Sequence, residues 1–151
     1  MIRLRDTRGR ERGTEEGATE VTTVFISAPF PRFAQAQVAR DMLKQAGIGS
    51  TARWIDQAAT LTGHDALTTA VAEKAIEEND ADLRAADVVI ALAWKREGCE
   101  QWGEVARALE WGKPVLLVLN DPSVPLVGYR PGVVVYRSVQ ETIDLYLAGK
   151  A

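Results

Sequence analysis

The sequence predicts a doubly wound α/β domain: a five-stranded parallel sheet in the flavodoxin-like order 2-1-3-4-5, with helices on both faces. Three observations lead there. Short apolar, β-branched runs alternate with stretches of helical periodicity across residues 21–151. The two clearest runs, DVVIALAW (87–94) and PVLLVLN (114–120), are continuously apolar, as suits strands covered on both faces. The resulting order β-α-β-α-β-α-β-β-α fits right-handed crossovers between parallel strands.

Each element has its own signal. VTTVFISA (21–28) is a β-branched run that ends at Pro29. FAQAQVARDMLKQAGI then places Phe33, Val38, Met42 and Leu43 near helical spacing, with Gly47 as a C-terminal stop. IGSTARW (48–54) reads as a weaker second strand and GVVVYR (132–137) as the fifth. SVQETIDLYLAG closes the chain as a helix, with Ser138 as N-cap and Glu141 three residues on. Between Asp56 and Asn79 the pattern is less regular. DQAATLTGHD reads as a loop, ALTTAVAEKAIEE carries a helical stripe, and NDADLRAAD looks like a fresh helix start with Asn79 as N-cap. An insertion of this length before a core strand is a candidate lid.

A chain of 151 residues fits one domain with a core that needs no disulfide or metal staple. The first twenty residues stand apart. Five arginines, five acids and three glycines leave little to bury, so 1–20 is expected to be a disordered charged tail. The interleaved acids nearly cancel the arginines, and the net charge is −3, so no nucleic-acid partner is expected. One cysteine (Cys99) and one histidine (His64) exclude a Cys/His zinc cluster and a disulfide framework. No apolar run approaches the ~20 residues that span a bilayer. No signal-peptide core is seen either, so a cytoplasmic location and no membrane partner are expected.

Doubly wound sheets bind ligands beyond the carboxyl ends of the strands, where strand order reverses. Here that crevice lies between APFPRF (28–33) and WKREGCEQWG (94–103), and Glu104 follows directly. No GxGxxG, no GxxxxGK[ST] and no GxSxG elbow is present, so dinucleotide, P-loop and serine-hydrolase readings fall away. Carboxylates remain: Glu97, Glu100 and Glu104 around one expected helix start, Asp80 and Asp82 at another. A helix N-terminus favours the ionised carboxylate by roughly 0.3–1 kcal/mol, which suits a nucleophile better than a proton donor. The same placement is also explained by dipole pairing alone.

The stretches VFISAPF (24–30), LRAADVVIALA (83–93) and EVARALEWGKPVLLV (104–118) together resemble the nucleoside 2-deoxyribosyltransferase family, with its nucleoside 5′-monophosphate N-glycosidase relatives (CMP hydrolase-like), over about residues 22–120. The family's nucleophilic glutamate lies eight residues before the glycine of Gly-Lys-Pro, and counting back from Gly112 gives Glu104. The resemblance implies a retaining cleavage of an N-glycosidic bond through Glu104, by hydrolysis or by (deoxy)ribosyl transfer to another base. It implies no cofactor, no metal, and a homodimer or larger homo-oligomer. The sequence departs from the pattern in three places. Ala106 replaces a glycine, and the loop GCEQWGE is two residues longer than usual from Gly98. The family's sugar-binding aspartate, eight residues before Asp87, is Asn79 here, with Asp80 adjacent as its possible replacement. A non-catalytic nucleotide-binding or sensing module therefore stands as the alternative function.

The crevice loops supply further substrate-binding candidates. Arg32, with Lys95 and Arg96 from the other loop, suits a 5′-phosphate. Phe30, Trp54, Trp94 and Trp102 offer faces for a base, whereas Trp111 suits helix packing or an oligomer contact. Pro29 and Gly98 shape the two loops, and Ser27 offers a hydroxyl to the ligand. His64 falls in the expected lid, and Cys99 is read as filling its loop.

Overall fold

The computed structural model describes residues 21–60, 69–94, 99–119 and 124–148. The expected tail, the expected lid around His64, and the loop with Lys95, Arg96, Glu97 and Gly98 lie outside the described residues. Five strands form one parallel sheet: β1 (Thr23–Ser27), β2 (Gly49–Ser50), β3 (Val88–Ala93), β4 (Val115–Leu119) and β5 (Val133–Tyr136), in the order β2-β1-β3-β4-β5. Every residue of β3 and β4 is buried, as their unbroken apolar runs require of strands packed on both faces. Helices α1 (Phe33–Gln45) and α5 (Val139–Thr142) pack together, as do α3 (Thr69–Ala85) and α4 (Cys99–Glu110).

Two helices end for the same reason. Gly47 and Gly112 adopt φ of 81° and 73°, the left-handed geometry that closes a helix at little cost only with glycine. At the end of α4, Lys113 N–H reaches the Ala108 carbonyl at 2.9 Å and Gly112 N–H the Leu109 carbonyl at 3.1 Å. Nothing lies within 4 Å of a Cβ built on Gly112, so only backbone strain opposes a side chain there. Gly112→Ala is expected to cost about 1 kcal/mol and to lower the melting temperature by about 2–4 °C, read by calorimetry. The next residue closes a second helix: Lys113 Nζ donates to the carbonyls of Arg84 (2.8 Å) and Ala86 (2.6 Å), at the end of α3. At the last helix Ser138 caps as expected, its hydroxyl accepting from Glu141 N–H at 3.0 Å.

Two sequence expectations change. The stretch read as a strand to residue 54 pairs only over Gly49–Ser50, and Trp54–Thr60 forms a helix, α2, where a loop was expected. Its start is held from a distance. Asp82, buried in α3, accepts from Arg53 N–H at 3.0 Å and forms an ion pair with the Arg53 guanidinium at 2.8 Å. The Trp54 indole N–H donates to the Ile26 carbonyl at 2.8 Å. The second change concerns Asn79, which is no N-cap: α3 runs unbroken through it from Thr69 to Ala85. No glycine or proline interrupts that run, and its polar side chains find tertiary partners instead of capping.

At the amino edge of the sheet, Asp87 ties β1 to β3. Its Oδ2 accepts from the N–H groups of Thr22 (3.0 Å) and Thr23 (3.1 Å) and from both hydroxyls. Burial pushes this carboxyl up, but the four donors outweigh it and hold the group below the usual carboxylate value.

Candidate active site

Ser27 is the last residue of β1 and is fully buried, the one buried polar side chain in a strand otherwise closed by Val24, Phe25 and Ile26. A buried hydroxyl needs a partner, and its partner is Glu104. Ser27 Oγ donates to Glu104 Oε1 at 2.8 Å, and Asn79 Nδ2 donates to Glu104 Oε2. The carboxylate thus lies where α3, α4 and the carboxyl end of β1 meet, with one donor on each oxygen. Only 6% of the Glu104 surface is exposed.

Glu104 is the sixth residue of α4, not its first turn, because the helix begins at Cys99. The helix dipole acts mainly within the first turn and so does not set the state of Glu104. Burial does: it pushes the carboxyl above the ordinary carboxylate range, and Asn79, Ser27 and the Arg107 charge pull it part of the way back. Glu100, in the first turn and exposed, adds a small upward push. The Asp80 carboxylate pairs with Arg107 Nε at 3.3 Å, so it is linked to Glu104 through a cation and does not take the place of Asn79. Asp82 faces Arg53 and lies apart from this cluster.

The remaining candidates divide. Pro29 is buried, and Phe30 is exposed in a short 3₁₀ turn over residues 30–32. The Arg32 guanidinium lies over the Trp94 ring, 4.8 Å from its centroid. Trp94 lines a groove of about 200 Å³ with Gln35 and Ala39 of α1, with Arg137, and with Val139 of α5. Glu104 and Trp94 both stand at the carboxyl edge of the sheet, near the ends of β1 and β3. Trp102 is partly buried against the core, as is Trp54, whose indole is committed to Ile26. Trp111 is stacked by the Arg84 guanidinium at 4.4 Å. Ser27 serves Glu104, a different role from the ligand contact expected of it.

Two residues near Glu104, Gln101 and Arg107, escape the sequence reading. Gln101 is 1% exposed, one turn before Glu104 on the same face of α4. Its Nε2 donates to the carbonyls of Ser27 (3.0 Å) and Leu92 (2.6 Å). The available signal was its spacing of three from Glu104, and a buried amide cannot be told from a solvated one by spacing alone. Arg107, three residues beyond Glu104, has the same signature.

This arrangement can present a desolvated carboxylate to an electrophile at the strand edge, held in one orientation by two donors. Among the described residues no group of three or more His, Cys, Asp or Glu side chains could hold a metal ion. No described helix is long and apolar enough to cross a membrane.

The fold has solved counterparts. The 2-deoxyribosyltransferase of the psychrotolerant bacterium Bacillus psychrosaccharolyticus superposes with a TM-score of 0.68 at 12% identity, covering 85% of this chain and 96% of that one. The Clostridium botulinum CMP N-glycosidase BcmB superposes with a TM-score of 0.54 at 15% identity, covering 83% and 100%. At such identities the likeness is one of fold. No protein-family model matches the sequence. No curated protein matches it significantly.

Proposed function

We propose that the protein breaks the N-glycosidic bond of a nucleoside or nucleoside 5′-monophosphate, with Glu104 as nucleophile. The observation that carries this reading is the buried Glu104 carboxylate, fixed by Ser27 and Asn79 at the carboxyl end of β1. A carboxylate oxygen bonds to C1′ as the C1′–N bond breaks and its electron pair leaves with the base. Water, or a second base, then attacks C1′ from the opposite side as the C1′–carboxylate bond breaks. The proton that this incoming nucleophile loses balances the one taken up by the departed base. The overall configuration is retained. The fold counterparts, a 2-deoxyribosyltransferase and a CMP N-glycosidase, support this class of bond. Arg32 and Arg96 are assigned to a 5′-phosphate, and Pro29, Phe30, Trp94, Gly98 and Trp102 to the walls around sugar and base. A homodimer or larger assembly in the cytoplasm belongs to the same proposal.

The test is a panel of nucleosides and 5′-monophosphates, with and without an acceptor base, with free base followed by chromatography. Release by the native protein that disappears in Glu104→Ala supports the enzyme. Product formed only with an acceptor base assigns a transferase.

One observation favours a second reading, a nucleotide-binding or sensing module. Asn79 reaches Glu104 with an amide, which binds but cannot move a proton. Tight binding without release, unchanged in Glu104→Gln, would establish it. Asn79→Asp decides how much the amide matters. Two carboxyls then face each other, so one is expected to take up a proton near neutral pH. A rate gain of roughly 10- to 100-fold is expected if a proton donor is what the native site lacks.

A further inference from the structure

We infer that Gln101 is a positioning residue, whose amide clips β1 to β3 where the strands part and so holds Ser27 against Glu104. β1 pairs with β3 only as far as Ser27 opposite Ala91, whereas β3 runs on to Ala93 beside Leu119 of β4. The strands therefore part just after the Ser27 rung, beside two buried residues, Ser27 and Leu92, whose carbonyls both take a donor from α4. Buried carbonyls need donors. The two amide hydrogens of Gln101 supply one to each, and its Oε1 has no partner, so the side chain is committed wholly as a donor.

The clip and the nucleophile share a residue. Gln101 holds the carbonyl of Ser27, and Glu104 takes its hydroxyl, both from one face of α4. Helix α4 thus grips the end of β1 at two points one turn apart. Loss of the first grip frees the Ser27 backbone, and the hydroxyl then no longer has a fixed direction toward Glu104. Arg107 and Glu100 on α4 and Asn79 on α3 are the other groups that bear on Glu104. None of them contacts Ser27 among the hydrogen bonds of the described residues, so the effect of Gln101 runs through the serine.

This inference rests on Glu104 being the nucleophile for its kinetic consequence, but not for its structural one, and the test separates the two. Glutamate side chains labelled for carbon NMR report the titration of Glu104, assigned by the signal lost in Glu104→Gln. In Gln101→Met the Glu104 titration is expected to move to higher pH, because a donor to the ionised form is weakened. Ser27→Ala should move it the same way, and Gln101→Met added to Ser27→Ala should move it no further. Gln101→Glu keeps the side-chain shape with at most one donor and serves as the second variant if Gln101→Met does not fold. In base release, kcat at mildly acidic pH should fall roughly 10- to 100-fold while KM changes less than about threefold.

A native titration in both Gln101 variants overturns the clip, whatever the activity. Equal shifts from Gln101→Met with and without Ser27 overturn the route through the serine. A shifted titration in a protein that releases no base overturns the enzymatic reading and leaves the clip in place.

Discussion

Glu104→Gln is expected to abolish base release, by at least about 10³-fold in kcat, while making the folded protein more stable at neutral pH. The two outcomes share one cause. Burial raises the Glu104 carboxyl above its ordinary range, so the folded state binds that proton more tightly than the unfolded chain does. Such a group stabilises the fold below its unfolded value, near ~4.3, and loses that contribution as pH rises through the folded value. At pH 7 the ionised side chain is therefore a net cost that a neutral amide removes. Asn79 can accommodate the change by turning its amide, since its Oδ1 is buried and without a partner. Thermal melts of the native protein and Glu104→Gln should differ by a few degrees at pH 7, about 2–4 °C per kcal/mol, and converge near pH 4. A loss of stability at pH 7 would show that the carboxylate is held for structure. In the active protein the same carboxyl gives kcat an acid limb that falls as pH drops through a value above the usual carboxylate range.

Asp87→Ala is expected to lower stability by about 1–2 kcal/mol at pH 7, or about 2–8 °C in melting temperature, without altering base release. The substitution strips a common acceptor from Thr22 and Thr23, and solvent reaching this half-exposed position keeps the loss moderate. The sign with pH is opposite to that of Glu104. Asp87 titrates below its ordinary value when folded, so its contribution is present above the unfolded value near ~3.9 and is lost as pH falls through the folded one. Melts of native and variant protein should therefore merge as the pH is lowered from about 5 to about 2. A gap that persists at the acid end would mean that the Asp87 charge is not what ties β1 to β3.

The parts of the fold that could be read in advance are those with one-dimensional causes. β3 and β4 announce themselves because two-sided burial demands unbroken apolar runs. Gly47 and Gly112 mark helix ends because only glycine takes their backbone geometry cheaply. The Gly-Lys-Pro stretch serves here as architecture: the glycine ends α4 and the lysine closes α3. What escaped has causes distant in sequence. Helix α2 depends on Asp82 meeting Arg53 and on Trp54 reaching Ile26. Asn79 resembles an N-cap until Glu104, 25 residues away, turns out to be its partner. Glu104 reads as the start of its helix but is its sixth residue, because α4 begins at Cys99. Its ionisation therefore follows from burial and not from a dipole. Gln101 carries only its spacing of three from Glu104, which does not separate a buried amide from a solvated one.

The Asp87 tie and the Glu104 cluster stand at opposite rims of the same sheet, about 13 Å apart along the four steps from Thr23 to Ser27. Gly112 and Lys113 lie at the Asp87 rim, and Ser27, Gln101 and Asn79 at the other. Changes separated by more than about 7–10 Å with no shared partner combine additively. Robustness and chemistry are thus adjustable in this molecule as two independent controls. A scaffold hardened at the amino rim should accept the Asn79→Asp exchange, which sets two carboxyls face to face, and remain folded long enough for its turnover to be measured.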